Sequence, residues 1–253
     1  YQAAVAAGQS LQQAGLGEDD LVILVMRHRH QLLTTFWGAL CIGAIPSIFP
    51  FLTEKLDPDI YWERVQKLVA HSEARAVITF PEFVEPLEDL LVDVDCRVVS
   101  AADLAVSETV PIADGYRPTA ERIAFLQHSS GTTGLQKGVA LSHRSVLNQI
   151  SAYSQAIGLQ SDDVVVSWLP LYHDMGLIAG FVLPFTAGVP LVLMSPFDWV
   201  RDPKRLLWGM MEHGGTLCWL PNFAYSHMAK SIRKRDLEGL DLSGWRLAIN
   251  CSE

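Results

Sequence analysis

Short apolar runs alternate with longer stretches of helical periodicity along the whole chain. The short runs consist mainly of β-branched or other apolar residues, which predicts strands buried on both faces. The predicted strands are 21–26, 45–49, 76–80, 96–99, 123–127, 164–168, 191–194, 216–220 and 246–250. The longer stretches predict helices that include 61–71, 143–157, 203–213 and 222–233. This alternation predicts an α/β fold of layered, mostly parallel sheets with helices on both faces.

Two stretches without Asp, Glu, Lys or Arg, 31–53 and 175–197, are long enough to cross a bilayer. Both are interrupted by glycines and prolines, which end helices and form turns. Each therefore predicts a buried helix, a turn and a buried strand: helix 34–42 before strand 45–49, and helix 176–185 before strand 191–194. We expect no transmembrane span.

Turn residues are frequent and aromatic residues scarce between residues 100 and 122. Such a segment is typical of a linker between compact parts of a chain. We therefore predict a first α/β subregion at 1–110, a linker-like stretch at 111–121 and a second α/β subregion at 122–253.

Composition excludes several classes of protein. Hydrophobic residues make up 49% of the 253 residues and charged residues 19%, which is enough apolar material for a core. The 19 Lys and Arg against 28 Asp and Glu give a net charge of -9, which argues against nucleic acid as a partner. The cysteines, Cys41, Cys96, Cys218 and Cys251, lie far apart, so we predict neither a metal site nor a disulfide framework, and a cytoplasmic location.

The strongest chemical signal follows strand 123–127. Glycines let backbone amides converge on an anion, hydroxyl groups add donors, and a lysine supplies a positive charge, so the segment predicts a phosphate-binding loop. It differs from the P-loop of kinases and GTPases, because Gly138 rather than Ser or Thr follows the lysine. The predicted phosphate-binding residues are Ser129, Ser130, Gly131, Thr132, Thr133, Gly134 and Lys137.

This loop resembles the phosphate motif of the adenylate-forming superfamily, which includes acyl-CoA synthetases, fatty-acyl-AMP ligases and peptide-synthetase adenylation domains. The family pattern is S/T-S-G-S/T-T-G-x-P-K-G, and the chain departs from it only at Gln136, where proline is usual. Residues 168–178 and 221–225 resemble two later blocks in the form found in fatty-acyl-AMP ligases. Residues 15–46 and 245–253 resemble the family's early region and the strand that leads to its adenine-contacting turn.

The resemblance implies a two-step reaction, in which a carboxylic acid attacks ATP to form an acyl-adenylate and the acyl group then passes to a thiol. It implies catalytic roles for Lys137 and Thr132, with Mg²⁺ bound mainly through ATP and with CoA or phosphopantetheine as acceptor. A fatty or related acid is the expected substrate and an acyl carrier protein the expected partner. It further implies acyl-substrate contacts at His173, Asp174, Met175, Gly176, Asn222, Phe223 and Tyr225, and an adenine edge at Cys251, Ser252 and Glu253.

By resemblance, the chain corresponds to the front part of a large N-terminal domain, without the C-terminal lid domain. We therefore expect the 253-residue chain to be inactive alone. Within the family, a fatty-acyl-AMP ligase that feeds a carrier protein is the leading hypothesis. A fatty-acyl-CoA synthetase is the alternative, because the intact Lys137 and Gly138 pair is more typical of CoA ligases. A non-catalytic module that binds acyl groups or a partner is the alternative from another class.

Overall fold

The computed structural model describes residues 1–54, 56–104, 116–128 and 138–250. These residues form two compact units, Tyr1–Val146 and Leu147–Glu253, each of which is described by itself. The division falls within one helix and lies C-terminal to the predicted linker at 111–121. The strands that follow this linker pack with the elements that precede it, which places them in the first unit.

The first unit contains a parallel four-stranded sheet in the order β2-β1-β3-β4. Its strands are β1 (Leu21–Val25), β2 (Ile45–Ile48), β3 (Ala76–Thr79) and β4 (Arg97–Ser100), and its helices are α1 (Gln2–Gln13), α2 (His30–Cys41), α3 (Pro58–Ser72) and α4 (Val84–Leu90). The central strands β1 and β3 are almost wholly buried, as uninterrupted apolar runs predict. One layer of the core lies between this sheet and α3 and includes Ile23, Val65 and Val77.

An antiparallel pair of strands completes the first unit. Strand β5 (Ile123–His128) pairs with β6 (Gly138–Ser142), and the pairing extends to His128 opposite Gly138. The sequence did not predict β6, because its residues are largely exposed and lack the buried apolar pattern of the other strands. Helix α5 (His143–Ala156) follows β6 directly and continues into the second unit.

The second unit is built on a parallel sheet in the order β10-β9-β7-β8. Its strands are β7 (Val165–Ser167), β8 (Leu191–Leu193), β9 (Leu217–Leu220) and β10 (Leu247–Asn250). The helices that follow α5 are α6 (Leu183–Ala187), α7 (Pro196–Arg201), α8 (Lys204–Glu212) and α9 (Asn222–Ser231). With the sheet of the first unit, this arrangement confirms the predicted α/β fold of mostly parallel sheets with helices.

The two charge-free stretches divide as the sequence predicted. The first contains α2 and β2, and the second contains a helical segment, α6 and β8. Met175–Val182 is a π-helix rather than the expected α-helix, and it runs directly into α6. Pro184 contributes to this geometry because it lacks the N–H that would donate to the carbonyl of Gly180 in an α-helix. Within the described part of the chain, no helix is both long and apolar enough to cross a membrane.

Candidate active site

The predicted phosphate loop lies outside the described residues, but both strands that flank it are described. Phe125 of β5 packs against Phe36 of α2, with ring centroids 5.6 Å apart. His128, the last residue of β5, has its Nδ1 2.8 Å from the Oγ of Ser47 in β2, and both side chains are buried. Burial lowers the pKa of His128, so its ring is neutral near pH 7. These contacts fix the strand from which residues 129–137 continue to β6.

The second unit offers a separate candidate site, at the carboxyl edge of its sheet. In the sheet, β8 lies on one side of β7, and β9 and β10 lie on its other side. The chain runs from β7 to β8 in one direction and from β9 to β10 in the opposite direction. The boundary between neighbouring β7 and β9 is therefore a switch point, where open parallel sheets commonly bind ligands. The predicted acyl-site residues follow these two strands: His173 to Gly176 come after β7, and Asn222 to Tyr225 come directly after β9.

His173 and Asp174 form an exposed pair in the turn after β7. The Nδ1 of His173 lies 2.7 Å from the Oδ1 of Asp174, and the two side chains are 51% and 73% exposed. The same carboxylate oxygen accepts a hydrogen bond from the backbone N–H of Met175 at 2.7 Å. Asp174 can thus both orient the imidazole and begin the following helix. When Nδ1 carries the proton, Nε2 is the acceptor of the neutral ring.

Two glycines let the π-helix pack closely against the turn that precedes it. A Cβ added to Gly176 would lie 2.2 Å from the carbonyl oxygen of Pro170, which is far inside van der Waals contact. A Cβ added to Gly180 would lie 2.6 Å from the Oγ of Ser167, at the end of β7. Single π turns often occur at functional sites. Met175 is partly buried at the start of this segment, and most residues after it are buried.

An aromatic cluster joins the end of β7 to α9. Trp168 and Trp199 stack with ring centroids 3.6 Å apart and planes 9° apart. Phe223 presents its ring at a steep angle to both, with centroid distances of 6.0 and 6.2 Å. Phe223 remains 57% exposed, so this apolar surface is accessible from solvent. The sequence did not single out Trp199, because it reaches the cluster from α7, far along the chain from the other rings.

The remaining predicted acyl-site residues lie on the exposed side of α9. Asn222 opens the helix, and Tyr225 lies one turn later. The side-chain amide of Asn250, the last residue of β10, donates a hydrogen bond to the Oδ1 of Asn222 at 2.7 Å. No local pattern along the chain indicates this contact, since it joins residues at the ends of two different strands. The predicted adenine edge, Cys251, Ser252 and Glu253, lies outside the described residues.

The second unit thus places the predicted acyl-site residues after neighbouring strands β7 and β9, and Phe223 of α9 packs on Trp168, which follows β7. In the described ranges, His, Cys, Asp and Glu side chains form no group of three or more that could hold a metal ion. His227, on α9, contacts α7 instead: its Nε2 lies 2.9 Å from the carbonyl oxygen of Val200, and its ring packs against Trp199.

Comparison with known sequences gives consistent relatives. The putative ligase Rv1013 of Mycobacterium tuberculosis is 32% identical over 250 residues, which cover 96% of this chain and 44% of that protein. The long-chain-fatty-acid–AMP ligase FadD26 of Mycobacterium marinum is 31% identical over 96% of this chain and 42% of its own length. A medium-chain-fatty-acid–[acyl-carrier-protein] ligase of Moorena producens, JamA, is 36% identical over 53% of this chain and 22% of its own length. The chain therefore spans less than half the length of these relatives.

Solved structures agree in fold. A fatty acyl-adenylate ligase from a study of the E. coli and L. pneumophila enzymes superimposes with a TM-score of 0.87 at 27% identity, covering 98% of this chain and 44% of that one. The L. pneumophila fatty acyl-adenylate ligase in complex with acyl adenylate and pyrophosphate gives 0.85 at 29% identity, over 100% and 43% of the two chains. The family model described as AMP-binding enzyme matches residues 1–253. The chain therefore belongs to the AMP-binding enzyme family.

Proposed function

We propose that this chain is part of a ligase that activates a fatty acid with ATP to an acyl-adenylate. The observation that carries the proposal is the carboxyl edge of the second sheet. There the His173–Asp174 pair and the exposed Phe223 ring lie after neighbouring strands of a switch point. A polar pair and an accessible apolar surface at the same edge of the sheet suit a molecule with a carboxylate at one end and a hydrocarbon chain at the other.

In the proposed reaction, a carboxylate oxygen of the acid attacks the α-phosphorus of ATP. A bond forms between that oxygen and phosphorus, the bond to the bridging oxygen breaks, and pyrophosphate leaves with the bonding electrons. A carboxylic acid is already ionised at neutral pH, so this step requires no general base. The chain's task is therefore to align the two anions and to stabilise the charge that moves onto pyrophosphate.

In our proposal, the phosphate loop stabilises the charge that moves onto pyrophosphate. Backbone amides and hydroxyl groups of residues 129–134 bind the β- and γ-phosphates, and Lys137 supplies a charge-assisted contact to the departing pyrophosphate. The antiparallel pairing of β5 with β6 supports this role, because it anchors both ends of the loop. Mg²⁺ bound to the phosphates of ATP supplies further neutralisation of charge. We assign no metal ligands to this chain.

His173 helps to align the acid with ATP by contacting the carboxylate of the acid. The contact with Asp174 favours a proton on Nδ1 and fixes the ring plane. The apolar chain of the acid lies along the surface formed by Phe223 and the aromatic cluster behind it. The names of the relatives FadD26 and JamA, which refer to long-chain and medium-chain fatty acids, support a fatty acid as the substrate.

For the second step we propose transfer to the phosphopantetheine thiol of a carrier protein, with CoA as the alternative acceptor. The carrier is supported by relatives named as acyl-carrier-protein ligases, from Moorena producens and Teredinibacter turnerae. CoA is supported by a relative of 37% identity over 139 residues, named as a putative fatty-acid–CoA ligase of Mycobacterium tuberculosis. Supplying either acceptor to the preformed acyl-adenylate and measuring thioester formation distinguishes the two.

The test of the first step is the acid-dependent exchange of labelled pyrophosphate into ATP by the full-length protein. We expect exchange with medium- or long-chain fatty acids. Amino acids and aryl acids serve as matched controls, because they carry the same carboxylate without a long hydrocarbon chain. Exchange with the control acids alone would overturn the fatty-acid assignment. If none of the tested acids supports exchange, adenylation itself would be overturned and a non-catalytic binding module would be favoured.

A further inference from the structure

Asn222 and Asn250 connect two neighbouring strand ends through their side chains. Asn222 is the first residue of α9, and Asn250 is the last residue of β10. The Nδ2 group of Asn250 donates to the Oδ1 of Asn222 at 2.7 Å, which is a short and well-formed amide hydrogen bond. Both side chains are exposed, so the contact lies at the surface of the carboxyl edge rather than in the core.

The register of the sheet explains why the two residues meet. Strands β9 and β10 are parallel neighbours, and Asn250 lies opposite Leu220, the last residue of β9. Extended Pro221 carries the chain beyond the strand, and Asn222 then begins the helix. Since Phe223 comes next and packs on Trp168, the start of α9 is held on its other side by the aromatic cluster. The start of α9 is therefore tied to both the β7 and the β10 ends.

We infer that Asn222 is a positioning residue for nucleotide binding, acting through Asn250. This inference rests on the proposed function and revises the role that the sequence analysis gave to Asn222. The side-chain oxygen of Asn222 accepts the hydrogen bond from Asn250, and this bond holds the end of β10. The chain continues from Asn250 to the predicted adenine edge. Asn222 thus links the start of the helix that carries Phe223 to the strand expected to position the nucleotide.

The size of the expected effect follows from the chemistry of the contact. An exposed hydrogen bond between neutral amides contributes little to overall stability. Alignment is more sensitive, because a displacement of about 1 Å at a reacting group can lower a rate ~100-fold. Loss of the contact should therefore leave the fold intact and weaken nucleotide binding more than acid binding.

The test compares Asn222→Ala, Asn250→Ala and Asn222→Asp in the full-length protein, with Ser226→Ala as a control on the exposed side of the same helix. We expect either alanine variant to raise the KM for ATP about three- to tenfold, as loss of one hydrogen bond predicts, with the KM for the acid within about twofold of wild type. The double alanine variant should be no worse than the single ones. Asn222→Asp should recover most of the affinity, because a carboxylate also accepts from Asn250.

Calorimetric titration with Mg-ATP measures the same effect without turnover, so failure of the proposed function and failure of this inference remain distinguishable. If the wild-type protein binds ATP but none of the tested acids supports pyrophosphate exchange, the proposed function alone would be overturned. An Asn222→Ala variant with unchanged ATP affinity and a raised KM for the acid would overturn the inference and make Asn222 an acyl contact. Additive effects of the two alanine substitutions would also overturn it.

Discussion

Arg246 neutralises the carboxylate of Asp163, which is almost completely buried. The Nη2 of Arg246 lies 2.5 Å from Oδ2 of Asp163, and its Nε lies 3.1 Å from Oδ1. Thr216 and the backbone N–H of Gln160 donate to the same carboxylate at 2.6 and 2.8 Å. Burial raises the pKa of Asp163, but the hydrogen bonds from Arg246, Thr216 and Gln160 outweigh it and hold the pKa below its usual range. This pair ties the start of β10 to the segment before β7.

Removal of Arg246 should destabilise the protein strongly. Arg246→Ala leaves the buried carboxylate without its counter-ion, and we expect a loss of roughly 3 kcal/mol in the free energy of unfolding. Arg205→Ala is the matched control, because the acidic partners of Arg205 are more exposed and surface pairs contribute at most about 1 kcal/mol. Urea unfolding of both variants measures the difference. Equal effects would show that the Asp163 pair does not stabilise the second unit.

The first unit should lose stability as the pH falls below neutral. Burial lowers the pKa of His28 to about 4 and also lowers that of His128. Both rings bind protons more readily in the unfolded chain, whose histidine pKa is about 6.5. Their contribution is therefore complete above about pH 6.5 and is lost as the pH falls toward 4. Urea midpoints between pH 8 and pH 4 should show this decline, and His28→Gln should reduce it. An unchanged profile in that variant would contradict the assignment to His28.

Gly176 should not tolerate a side chain. The Cβ of Gly176→Ala would meet the carbonyl oxygen of Pro170 at 2.2 Å, and a backbone oxygen cannot move without displacing the turn that carries His173. We expect a loss of about 1–3 kcal/mol in stability, typical of forced overpacking, together with a raised KM for the acid. Gly209→Ala is the control: Gly209 lies within α8, where alanine is favoured, and its added Cβ would meet only side-chain atoms, of Met194 at 3.4 Å and Val166 at 3.8 Å. Thermal unfolding and acid titration of both variants test this difference, which a tolerated Gly176→Ala would contradict.

Lys137 and Thr132 should affect catalysis rather than folding. Lys137→Ala removes one charge-assisted contact to the leaving pyrophosphate, so we expect the adenylation rate to fall about tenfold to a hundredfold with little change in acid binding. Thr132→Val keeps the shape of the side chain but removes its hydroxyl donor, and it should also slow the reaction. Single-turnover kinetics of the full-length variants provides the measurement. Wild-type rates in both variants would contradict the phosphate-binding assignment.

The central strands of the two parallel sheets, such as Leu21–Val25 and Leu217–Leu220, were predictable because their residues form uninterrupted buried apolar runs. Strand β6 was not, because its exposed residues take their conformation from pairing with β5. The π-helix was missed for a related reason: a segment that is apolar on all sides has no periodicity to distinguish helix types. The contacts of Asn222 with Asn250 and of Trp199 with Trp168 depend on the register of distant elements, which no local pattern encodes.

The proposed attack of the acid on the α-phosphorus of ATP is tested most directly with a fatty acid labelled with ¹⁸O in its carboxyl group. The full-length protein, ATP and an acceptor thiol are incubated with the labelled acid, and the nucleotide product is analysed by mass spectrometry. Because the attacking oxygen stays on phosphorus when the thiol displaces it from the acyl carbon, we expect AMP that carries a single ¹⁸O atom. Unlabelled AMP, or ADP with labelled phosphate, would contradict acyl-adenylate formation.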